Sequence, residues 1–111
     1  MIYVTIQQTD EKYIQSFSVE GHANFAKHGS DIVCAGVSAV TFGAINAVEA
    51  LTNVVPAVEQ GGKGGYLQCT VPNNLPKETK DKVQLLLQGM LVALQTIEYD
   101  YSEYIKITFK K

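Results

Sequence analysis

Residues 30–54, SDIVCAGVSAVTFGAINAVEALTNV, decide the fold of this 111-residue chain. Ser30 and Asp31 are good N-cap residues, and the run after them is apolar on most sides and rich in small side chains. The pattern predicts a largely buried helix. It extends to about Asn53, because the residue before Pro56 is biased out of the helical region.

Upstream, Ile2, Val4 and Ile6 alternate with Tyr3, Thr5 and Gln7, as a half-buried strand over residues 2–8 requires. Thr9 to Lys12 form a polar turn. Tyr13, Phe17 and Val19 then resume alternation as far as Gly21, so the two strands make a hairpin. Residues 21–30, GHANFAKHGS, show neither period and read as an irregular loop.

Downstream, an extended piece near residues 57–60, the turn GGKGG and residues 66–71 suggest a second hairpin with Leu67, Cys69 and Val71 on one face. Val83, Leu86, Leu87, Met90, Leu91, Leu94 and Ile97 recur at three and four, which predicts an amphipathic helix over residues 77–99, about six turns long. Ile105, Ile107 and Phe109 alternate with Lys106, Thr108 and Lys110 in a closing strand. The order ββαββαβ points to an α+β fold, a mostly antiparallel sheet with two long helices packed on one side. Residues 1–111 form one domain, with no repeat or linker.

Composition narrows the function. Nine basic residues against eleven acidic ones give a formal net charge of −2, and all nine are Lys. Without the planar fork of Arg or a run of Lys longer than two, direct reading of nucleic acid is not expected. No apolar run of eighteen residues suggests a membrane span, and the N-terminus does not resemble a secretory signal, so the expected compartment is the cytoplasm. Two cysteines do not make a zinc site without histidine help, and no cofactor motif is expected: in GGKGG the turn is not followed by a helix, as a phosphate loop would need. The acidic pair Asp10 and Glu11 and the trio Glu98, Asp100 and Glu103 read as solvated surface.

The thiols differ. Cys69 shares a strand face with Leu67 and Val71 and reads as a core side chain. Cys34 falls in the first turn of the helix, where unpaired backbone N–H groups and the helix dipole favour the thiolate. A loop with two imidazoles, His22 and His28, precedes it, so a nucleophile and a base lie within twelve residues. Spacing alone favours a packed cysteine and surface histidines over a catalytic pair.

Residues 21–39 combine Gly-His-Ala, a loop, and Asp-Ile-Val-Cys-Ala-Gly-Val-Ser-Ala. This pattern closely resembles the ribosomal-processing cysteine protease family known as Prp. The similarity runs along the whole chain, including the opening hairpin, the glycine turn and the segment Leu94–Glu98. It implies a cysteine endopeptidase that removes a short N-terminal extension from the twenty-seventh protein of the large ribosomal subunit, acting as a homodimer. The family's dyad carries over onto Cys34 and His22. Asp31 also matches and would either cap the helix or orient His22; Phe25, His28 and Ser38 are candidate substrate contacts. The alternatives are an assembly factor that binds the extension without cutting it, and a thiol redox switch at Cys34.

Overall fold

The structure is a computed structural model that describes residues 1–21, 32–61 and 65–111. Its elements follow the expected order: β1 (Ile2–Gln8), β2 (Ile14–Gly21), α1 (Ile32–Thr52), β3 (Ala57–Gly61), β4 (Tyr66–Thr70), α2 (Lys77–Asp100) and β5 (Ile105–Lys110). The five strands form one sheet in the order β3-β4-β2-β1-β5. All pairings are antiparallel except β1 with β5. The fold is α+β, as the sequence pattern predicts.

One sheet face is apolar. Ile2, Val4 and Ile6 of β1 stand beside Ile105, Val19 and Phe17, and Phe17 in turn beside Cys69. All but the partly exposed Val19 are buried. Val33, Val37, Ile45 and Val48 of α1 and Val83, Leu87, Met90 and Leu94 of α2 close the core over this face. Removing so many branched side chains from water supplies the main driving force for folding, roughly 1.5–3 kcal/mol for each fully buried one.

Three details depart from the sequence pattern. First, α1 is not buried on most sides. A single stripe, Val33, Val37, Thr41, Ile45 and Val48, is buried, while Ile32 is 55% and Leu51 70% exposed. A helix in a two-layer sandwich meets the sheet along one line and its neighbour helix along another, so its outer side faces outward whatever its composition. By length and composition alone α1 could cross a bilayer, yet its stripe is one wall of this core.

Second, Tyr13 does not belong to the β2 face; Ile14 does. Gln7 stands opposite Ser16 but Gln8 opposite Ile14, so Gln15 is the extra residue of a bulge that reverses the alternation. A buried side chain from α2 satisfies the distorted backbone: Ile14 N–H donates to Gln84 Oε1 at 2.7 Å, and Gln84 Nε2 donates to the Ile14 carbonyl at 2.8 Å. Third, Glu98 is not simply solvated. Its Oε2 accepts the Ile107 N–H at 2.7 Å, closing a donor on the edge strand β5.

The helix ends behave as the residues suggest. Asn53 adopts φ 60° just past α1, and its N–H returns to the Glu49 carbonyl at 3.0 Å. Asn tolerates this left-handed position better than most residues. β4 pairs back on β3. No helix N-terminus follows, so a phosphate loop is excluded there.

Candidate active site

Cys34 is the third residue of α1 and half-buried. Its side chain packs against the core cluster. The first turn of a helix has N–H groups without carbonyl partners within the helix, and its dipole presents partial positive charge there; both favour a sulfur anion. Cys69 has the opposite surroundings. It is fully buried between Phe17 and Val58 in the sheet register, and burial pushes its thiol up to about 11. Neither cysteine is in a disulfide. The two thiols therefore sit in contrasting surroundings, one half-buried at a helix start and one in the core.

A cavity of about 200 Å³ opens beside Cys34. Ser38, Thr41 and Phe42 continue its wall along α1, at helical spacings of four, seven and eight residues from Cys34. Val19 and Gly21 of β2, Gln60 of β3 and Tyr66 and Leu67 of β4 line the opposite side. The polar groups in this mostly apolar hollow are bonded where they are buried: Thr41 Oγ1 donates to the Val37 carbonyl at 2.8 Å. An apolar concavity with a thiol at a helix N-terminus can hold an extended acyl substrate against a sulfur nucleophile.

Gly21 sets the rim. It has φ +92°, and a Cβ built on it would lie 2.5 Å from the Met1 carbonyl oxygen. Its N–H donates to the Gly65 carbonyl at 2.9 Å, which ties the end of β2 to the start of β4. Only glycine combines that backbone angle with that close approach.

Of the candidates from the sequence, Cys34 and Ser38 meet on the cavity wall. His22, Phe25, His28 and Asp31 lie outside the described residues. Sequence reasoning missed Thr41, Phe42, Gln60 and Tyr66, whose places on the wall depend on how α1 lies over the β3–β4 hairpin. For Gly21 there was a signal: a glycine ending an alternating strand, directly before a histidine.

The family model for cysteine protease Prp matches residues 1–106. The chain belongs to the Prp family. A ribosomal processing cysteine protease Prp from Bacillus subtilis is 49% identical over 108 residues, covering 97% of this chain and 96% of that protein. Its counterpart from Staphylococcus aureus is 42% identical over 111 residues, covering 99% and 100%. Among solved structures, an essential ribosomal processing protease Prp from S. aureus, in complex with a covalently linked product peptide, superposes with a TM-score of 0.89 at 42% identity, covering 99% of this chain and 100% of that one. The same S. aureus protease with a substrate peptide gives 0.85 at 40% identity, with the same coverage. Similarity at this level over the full length means that this Prp-family chain shares both the fold and the sequence framework of peptide-bound relatives.

Proposed function

We propose that this Prp-family chain is a cysteine endopeptidase that removes the N-terminal extension of the twenty-seventh large-subunit ribosomal protein, with Cys34 as nucleophile and His22 as general base. The observation that carries the reading is the half-buried Cys34 thiol in the first turn of α1, beside a hollow of about 200 Å³, while the other thiol is locked in the core. Relatives named as ribosomal processing proteases, one of them solved in two peptide complexes, support the substrate class. His22 follows Gly21, a residue of the cavity rim, in the chain.

In this mechanism the Cys34 sulfur attacks the scissile carbonyl carbon as its proton passes to the His22 imidazole. Backbone N–H groups at the start of α1 stabilise the oxyanion. The tetrahedral intermediate collapses, the C–N bond breaks, and the imidazolium gives its proton to the departing amine. Water, deprotonated by the same imidazole, then hydrolyses the thioester and restores the thiol. Asp31 caps α1 or orients His22, and Phe25, His28 and Ser38 contact the substrate. The reaction needs no cofactor or metal.

The same reading makes the protein a cytoplasmic homodimer. Support for self-association comes from apolar side chains left outside on both helices, Leu51 on α1 and Leu85, Val92 and Tyr99 on α2, the last 88% exposed.

The test is cleavage of a synthetic peptide carrying the ribosomal-protein extension, followed by mass spectrometry. Cys34→Ala and His22→Ala should each abolish cleavage, and the double variant should be no worse than Cys34→Ala, because residues that share a step are not additive. Turnover retained in either single variant overturns the assignment.

A further inference from the structure

The two edges of the sheet are treated differently. On the β5 edge the Glu98 carboxylate occupies the Ile107 N–H, and Lys106, Lys110 and Lys111 crowd the strand with charge. Such devices discourage pairing with another chain. On the β3 edge all five residues, Ala57 to Gly61, are exposed, with neither Lys nor Pro among them. Among the described residues no side chain bonds to the outer backbone of β3. Because β3 pairs with β4 on one side only, alternate residues direct their N–H and C=O groups outward.

The open edge adjoins the cavity. Gln60 stands opposite Leu67, and Leu67 opposite Val19, so the three share one sheet face, and all three line the hollow beside Cys34. A strand added outside β3 would continue that row. Its side chain opposite Gln60 would lie on the same face, toward the cavity, while its neighbours turn away.

We propose that the substrate extension docks as a sixth strand on the free edge of β3, placing one side chain in the Cys34 cavity. Backbone hydrogen bonds to β3 provide affinity for any extended peptide, and the cavity selects the side chain. This inference rests on the peptidase reading above and adds to it the mode by which the substrate is held.

An N-methyl scan of the extension peptide tests it, using the full-length protein. Methylation of an amide paired with β3 removes one hydrogen bond and should raise KM about tenfold, while methylation of the amides between should leave KM unchanged, giving a period of two. In parallel, hydrogen exchange on Cys34→Ala protein with the unmodified peptide should slow amides within residues 57–61 and leave those of 105–110 unaffected. If the peptide is cleaved but the scan lacks alternation and β3 gains no protection, strand docking is wrong and the peptidase reading survives. If the unmodified peptide is not cleaved, both fall. If β3 becomes protected as protein concentration rises without peptide, a second copy occupies the edge and the proposal is wrong.

Discussion

Replacing Gly21 by Ala should damage stability and site together. An L side chain in the left-handed region costs about 1–2 kcal/mol before any contact is counted. At Gly21 the new Cβ also meets the Met1 carbonyl oxygen at 2.5 Å, about 1 Å inside ordinary contact. That carbonyl can retreat only by tilting the peptide plane shared with Ile2 N–H, which donates to the Tyr104 carbonyl at 2.8 Å. Loosening this bond adds about 1 kcal/mol. The sum is about 2–3 kcal/mol, or a fall in Tm of about 9–13 °C for a chain of this length. Gly89→Ala is the control: Gly89 lies in α2 with nothing within 4 Å of its built Cβ, and Ala there should raise Tm by about 3 °C through helix propensity. Thermal unfolding by circular dichroism reads both variants. At temperatures where Gly21→Ala is still folded, peptide cleavage should be at least about tenfold slower, since the displaced segment forms the cavity rim and leads into His22. A Tm change below about 3 °C for Gly21→Ala would refute the argument that backbone angle and close approach require glycine.

Three further outcomes follow from the core. Gln84→Leu strands the Ile14 N–H and carbonyl in a buried bulge and should lower stability by about 3 kcal/mol in urea unfolding; a loss below about 1 kcal/mol means the bulge finds other partners. At pH 8 iodoacetamide should label Cys34 far faster than Cys69, whose thiolate fraction is about one in a thousand with its pKa near 11; equal rates by peptide mapping reverse the roles of the two thiols. The same raised pKa at Cys69 makes the fold lose stability as pH climbs. Above about 9 the unfolded chain releases this proton and the folded one does not, so stability falls between about pH 9 and 11. In Cys69→Ala the fall should be shallower, and identical slopes from urea titrations at pH 8 and 10.5 would contradict it.

The element order, the strand limits of β1, both helices and the nature of Cys69 were legible in the sequence. Each is encoded locally: alternation by Ile2, Val4 and Ile6, the three-and-four recurrence of Val83 to Leu94, and the halt before Pro56 depend only on neighbours along the chain. The special position of Cys34 was legible for the same reason, since a helix N-terminus acts on whatever residue follows its cap. The parallel pairing of β5 with β1, the bulge that admits Ile14 and expels Tyr13, and the link from Gln84 across 70 residues were not. They arise when distant segments meet. The exposed outer side of α1 belongs to this class as well: an apolar sequence expresses a preference for burial, but how many sides are covered depends on the number of layers the whole chain can build. Likewise the sequence shows Cys34 near a helix start, whereas the hollow in front of it exists because α1 meets residues of β2, β3 and β4 around it. Local sequence sets what each segment can become; packing geometry decides which side chains share a cavity and which backbone edge stays open.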